Sequence, residues 1–68
     1  MNIEVLFGLR VRELRRKKAL SQEQLGFRCG LSKNYISDLE RGTRNVTIKV
    51  MEKLALGLEC EIWQLLHF

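Results

Sequence analysis

The sequence predicts an all-α fold, a compact unit of five helices, and three observations carry that prediction. Apolar residues recur at three- and four-residue spacing along most of the chain, proline is absent, and Ser21, Ser32 and Thr47 stand as caps where apolar stripes begin. At 68 residues the chain forms one domain at most, spanning 1–68, and a domain of this size buries only about 60% of its unfolded surface. With 46% apolar residues, stability has to come from close helix packing supplemented by self-association.

The first helix runs from about Ile3 to Lys18. Phe7, Val11 and Leu14 follow the i, i+4, i+7 rule and face inward, while the arginines face out. Residues 22–41, QEQLGFRCGLSKNYISDLER, then describe two short helices folded across a tight turn. Leu25 and Cys29 share one face, and Ile36 and Leu39 share the next. Gly30 marks the break because glycine accepts the left-handed backbone that ends a helix, and Leu31 can tuck back onto the preceding turn. Gly26 costs roughly 1 kcal/mol against alanine inside a helix, a cost tolerated where another helix approaches the backbone closely. Ser21 with Gln24 forms a capping-box pattern, and Ser32 opens the third helix. The outcome is a helix-turn-helix whose second helix is half exposed. Lys33, Asn34, Ser37 and Asp38 face outward, and residues of those types can read base edges in a major groove.

A loop of turn formers and hydrogen-bond donors follows, Arg41-Gly42-Thr43-Arg44-Asn45-Val46. Thr47 caps a fourth helix with an inward face of Ile48, Met51, Leu54, Ala55 and Leu58, and Gly57 and Glu59 mark its end. A last short helix, from about Glu61 to His67, carries Ile62, Leu65 and Leu66 to close the bottom of the core.

Net charge is +4 and the pI about 9.5, but the charge is unevenly placed. Arg10, Arg12, Arg15, Arg16, Lys17 and Lys18 stand against the single acid Glu13, leaving the rest of the chain close to neutral. These cations can complement the carbonyl end of the first helix, and just ahead of a helix-turn-helix they also suit phosphate attraction. Leu56, Trp63 and Phe68 lie off the inward stripes, where a soluble monomer favours charge. They fit a homodimer face; the competing reading is a terminal tryptophan folded over a small core.

Several classes are disfavoured. The N-terminal apolar run is short, interrupted by Glu4 and followed by charge, so it is neither a signal peptide nor a membrane span, and a cytoplasmic, nucleoid-associated protein is expected. Cys29 and Cys60 fall where the pattern wants a small hydrophobe and read as reduced packing residues rather than a disulfide or half of a metal site. One histidine near the terminus, His67, and no paired carboxylates or glycine-rich phosphate cradle argue against an enzyme. Neither cofactor nor metal is expected.

The motif elements VRELRRKKALSQEQL, GLS, YISDLERG and RNVTIKVMEKLALGLE extend this reading. From Phe7 to Leu66 the chain resembles the five-helix DNA-binding domain of the phage repressor and Cro-like (XRE) helix-turn-helix family. YISDLERGTRNVTIK followed by GLE is similar to the controller proteins of restriction-modification systems. Such proteins consist of little beyond this domain and dimerise through their last helices to regulate their own and the endonuclease genes; this chain shows the same economy. Val46 stands where typical relatives carry proline, and Leu56 and Trp63 stand where they carry charge or polarity.

The resemblance implies double-stranded DNA and a second copy of the chain as partners, with RNA polymerase as a further one. It assigns Gln22 to a phosphate and Ser32, Lys33, Asn34 and Ser37 to base edges. Lysine suits the guanine acceptors and asparagine suits adenine, each good bidentate pair discriminating by about 1–3 kcal/mol. Tyr35 falls to the DNA backbone or, equally, to shielding the core edge, and Arg41, Thr43, Arg44 and Asn45 to phosphates. Arg15 and Glu40 match a buried structural ion pair, and Leu56, Trp63, Leu66 and Phe68 the dimer interface. A rival class is an antitoxin-like interaction module that uses this apolar surface for a partner and binds DNA secondarily, but the toxin-binding tail expected of one is missing.

Overall fold

Helix starts in this chain are set by side chains that satisfy otherwise orphaned backbone N–H groups, each such cap contributing roughly 1 kcal/mol. The computed structural model describes residues 2–68, and they form α1 (Ile3–Lys17), α2 (Gln22–Cys29), α3 (Lys33–Glu40), α4 (Ile48–Leu58) and α5 (Ile62–Leu65). Ser21 and Gln24 make the expected reciprocal box: the Gln24 N–H donates to Ser21 Oγ at 3.0 Å and the Ser21 N–H to Gln24 Oε1 at 2.8 Å. Ser32 Oγ accepts from the Tyr35 N–H at 3.0 Å, and Thr47 Oγ1 from the Val50 N–H at 3.2 Å. Asn2 caps α1 by accepting from the Val5 N–H at 2.9 Å, a start signal the apolar pattern did not reveal.

The turn between α2 and α3 is built as its glycine requires. Gly30 adopts φ 70° in the left-handed region, and the Leu31 N–H donates back to the Gly26 carbonyl at 2.8 Å. Leu31 then packs against the core. The close approach expected at Gly26 is real, but the neighbour is the turn's own Leu31 carbonyl rather than a second helix.

Around this unit, α2 packs against α3 and α4, α1 against α3 and α5, and α4 against α5. Val11, Leu25, Ile36, Leu39, Leu54, Leu58 and Leu65 are fully enclosed, with Phe7, Cys29 and Ala55 completing a single core. The outer face of α3 is left free of this packing.

Three expectations about the core need correction. Ile48 is 79% exposed, and Ile62 and Leu66 are 42% and 46% exposed. At about 100° per residue, Ile48 sits at the rim of the α4 stripe, and in the single turn of α5 only Leu65 can point inward. That helix is also shorter than expected, and α1 ends one residue earlier. Gly57 does not mark the end of α4; it is buried inside it against Cys29 Sγ, and the helix ends at Glu59, which takes the left-handed conformation at φ 55°.

Gly8 matters for a similar reason. A Cβ there would meet the carbonyl oxygens of Leu39 and Glu40, the latter at 2.8 Å, so α1 and α3 touch backbone to backbone. Because backbone at the end of α3 cannot yield as a flexible side chain does, Gly8→Ala is expected to destabilise by about 1–3 kcal/mol despite alanine's better helix propensity. Thermal melting checks this; an unchanged or raised midpoint would show that α1 can slide.

Candidate nucleic-acid interface

The same junction carries the chain's buried charges. Arg15 of α1 and Glu40 of α3 are 9% and 7% exposed, and they meet as a two-point fork: Nε donates to Oε2 at 2.6 Å and Nη2 to Oε1 at 2.9 Å. Arg15 Nη1 donates to the Leu20 carbonyl at 2.8 Å, and Gln22 Nε2 donates to Glu40 Oε1 at 3.1 Å. One carboxylate thus ties together α1, the start of α2 and the end of α3. The Glu40 hydrogen bonds raise the Arg15 pKa above its ordinary value, against the opposing effect of burial. Among the described residues no buried side-chain nitrogen or oxygen lacks a partner. Gln22, expected at a phosphate, has one amide N–H committed to this knot and keeps the other.

Held by that knot, α3 presents its first turn to solvent. Lys33 and Asn34 are exposed and make no side-chain hydrogen bond with the described residues, whereas the Ser32 oxygen accepts as the helix cap. Ser37, half-buried, accepts from Arg41 Nη1 at 2.8 Å. Tyr35 is half-buried, and its ring lies under the Arg44 guanidinium at 4.8 Å, close enough for a cation–π contact. Arg41, Thr43, Arg44 and Asn45 are all exposed in the adjoining loop. The structure therefore brings these expected residues to α3 and the loop beside it, with Gln22 at the α2 N-terminus.

Sequence reasoning missed what Asp38 does. It was expected only to face outward, yet Arg41 Nη2 pairs with its Oδ1, and Arg44 Nη2 lies 3.4 Å from its Oδ2. The three-residue spacing to Arg41 was a visible signal; the loop's return toward α3 was not.

The basic stretch of α1 also differs from expectation, because most of it is internally paired. Arg10 binds Glu13 at 2.7 Å and the Gln64 carbonyl at 2.8 Å, Lys17 lies 3.9 Å from Glu13, and Lys18 binds Glu59 at 3.1 Å. Glu13 and Glu59 are accordingly held below the usual carboxylate range, by Arg10 with Lys17 and by Lys18 with Arg28. Only Arg12 and Arg16 of that stretch make no ion pair with the described residues. The two cysteines are free, and burial pushes both thiols up, Cys29 and Cys60 alike, as suits packing residues. No group of potential metal ligands occurs among the described residues, and no described helix is long and apolar enough to cross a membrane.

Residues 11–62 match the helix-turn-helix family model, which covers the α2–α3 unit and most of its supporting helices. The chain belongs to the helix-turn-helix family. It is 48% identical over 68 residues to control protein C.BamHI of Bacillus amyloliquefaciens, covering 98% of this chain and 84% of that protein. Control protein C.SmaI of Serratia marcescens is 39% identical over 66 residues, covering 97% and 79%. The crystal structure of the restriction-modification controller protein C.AhdI from Aeromonas hydrophila superposes with a TM-score of 0.88 at 49% identity, covering 90% of this chain and 88% of that one. This family member is thus a DNA-binding transcriptional regulator rather than an enzyme, and its relatives include restriction-modification controllers.

Glu40→Ala leaves Arg15 buried without its counter-ion, and breaking a buried pair in this way is expected to cost about 3–5 kcal/mol. Chemical denaturation measures it, with the solvent-facing Glu13→Ala expected to unfold alongside the parent. A Glu40→Ala variant as stable as the parent would remove the pair from any structural role.

Proposed function

We propose that the protein is a homodimeric controller protein that regulates a restriction-modification system by binding a pseudo-palindromic operator. One observation carries the reading: α3 offers Lys33 and Asn34 with exposed side chains that bond no described residue, beside the exposed arginines of the following loop, on a helix anchored by a buried ion pair. Similarity to C.BamHI, C.SmaI and C.AhdI supports the biological setting. In this reading α3 enters the major groove, with Ser32, Lys33, Asn34 and Ser37 at base edges. Gln22, Tyr35, Arg41, Thr43, Arg44 and Asn45 hold the phosphates on either side. Two copies of α3 enter successive major grooves roughly 34 Å apart.

The pairing surface is assigned to the exposed apolar residues of α4 and the C-terminal segment. Leu56 is 74%, Trp63 64% and Phe68 56% exposed, with Leu66 beside them in sequence, and Ile48 and Ile62 line a shared groove with Lys49 and Glu52. Trp63 does not fold over the core; its ring meets His67 edge-on at 6.2 Å. A second copy covering these side chains would supply burial that a chain this small lacks. Such a dimer acts in the cytoplasm by position: overlapping a promoter it blocks RNA polymerase, and bound just upstream it offers polymerase a surface.

Selection from random duplexes, followed by quantitative binding, tests the DNA reading. Arg44→Ala is expected to weaken operator binding and flatten its salt slope by about one, whereas Asn34→Ala relaxes preference at one base step. If both variants bind every probe as the parent does, the face is wrongly assigned. For the dimer, Ile62→Asp is expected to shift sedimentation toward the monomer and to lose operator affinity with it; a dimeric Ile62→Asp variant would place the pairing surface elsewhere.

A further inference from the structure

Asp38 is the acidic residue of α3 that is not buried, and it stands on the side assigned to DNA. Arg41, Thr43 and Arg44 of the neighbouring loop converge on it. Its two carboxylate oxygens face Arg41 Nη2 and Arg44 Nη2, and its main-chain carbonyl accepts from the Thr43 N–H at 3.1 Å and from Thr43 Oγ1 at 3.0 Å. Arg41 reaches it across one helical turn, while Arg44 is steadied from its other side by the Tyr35 ring at 4.8 Å. A carboxylate gripped by two guanidinium groups has the anionic oxygens, and the arginine partners, that a nucleic-acid phosphate would have in its place.

We propose that Asp38 is an internal stand-in for phosphate, and that it sets the specificity of DNA binding by holding Arg41 and Arg44 back from non-operator DNA. The proposal rests on the DNA-binding reading above. Sequence-independent affinity comes almost entirely from cation–phosphate contacts, so a tethered carboxylate competes with that component directly. It is always at hand, whereas a phosphate on an arbitrary duplex must be brought to both arginines while being repelled by the acid itself. On the operator, base contacts by Lys33 and Asn34 seat α3 at one depth and register. The flanking phosphates are then fixed against the arginines and displace Asp38. The acid therefore subtracts more from non-specific than from specific binding.

The test compares parent and Asp38→Asn on two duplexes, the selected operator and an unrelated sequence, across a range of salt concentrations. Asparagine keeps the side-chain shape and removes the charge; melting curves establish that the variant is folded, and Asp38→Ser provides the same readout from a second substitution. Asp38→Asn is expected to bind the unrelated duplex about tenfold more tightly, with a salt slope steeper by about one to two. The operator gains less, so discrimination falls. Adding Arg44→Met to Asp38→Asn is expected to return most of the gain. Unchanged binding to the unrelated duplex, or an equal gain on both duplexes, overturns the proposal. So does a change confined to one base pair, which would make the carboxylate a direct reader of a cytosine amino group. A parent protein that prefers no duplex at all overturns the DNA reading beneath it.

Discussion

The carboxylate of Glu40 is the constraint on which the other features depend. It receives Arg15 from α1 and Gln22 from α2 while sitting at the last residue of α3, so three elements share one point of reference. A buried ion pair adds little net stability compared with well-packed apolar groups, because desolvation consumes most of the attraction. What it does supply is geometry. A planar guanidinium and a carboxylate joined at two points define both distance and orientation, and that orientation settles how the outer side of α3 faces solvent.

Around this point the chain reaches rigidity by bringing backbone close to backbone. At Gly8, α1 rests on the carbonyls that end α3, and at Gly57 the α4 backbone leaves room for Cys29 of α2. With ten apolar residues of the described chain in the enclosed core, there is little volume to spare for side-chain spacers. Close approach replaces bulk, and the helices lose freedom to slide. The same economy leaves Ile48 and Leu56 of α4 and Ile62 and Trp63 of α5 outside; α5, a single turn, has one inward position to offer, taken by Leu65.

Charge is divided as sharply as apolar area. The densest basic stretch, in α1, is largely spent on Glu13, Glu40, Glu59 and the Gln64 carbonyl. The cations around α3 fall into two kinds: Lys33 makes no ion pair with the described residues, while Arg41 and Arg44 are paired to Asp38 on the exposed side of the helix. Charge density along the sequence singles out the α1 stretch, where folding pairs most of the cations. What matters is which cations have an acid within reach once the chain has folded.

Much of the architecture was legible because it is local. Capping by Ser21, Ser32 and Thr47, the glycine turn at Gly30 and the stripes through Leu25, Cys29, Ile36 and Leu39 each involve residues no more than a few positions apart, where helical geometry leaves few choices. The Arg15–Glu40 pair was anticipated through family resemblance, since 25 positions separate the two residues and periodicity does not connect them. Ile48, Ile62 and Leu66 were misplaced because apolar spacing reports that a residue shares a stripe, and only the neighbouring helix determines how wide a stripe it covers. The chain by itself therefore determined the caps at Ser21, Ser32 and Thr47, the left-handed turn at Gly30 and the apolar stripes of the helix-turn-helix, because each is settled within a few residues. The tertiary structure alone decided which charges neutralise one another, which apolar side chains stay outside, and that Asp38 meets two arginines, because those outcomes depend on distances between segments that the order of residues does not encode.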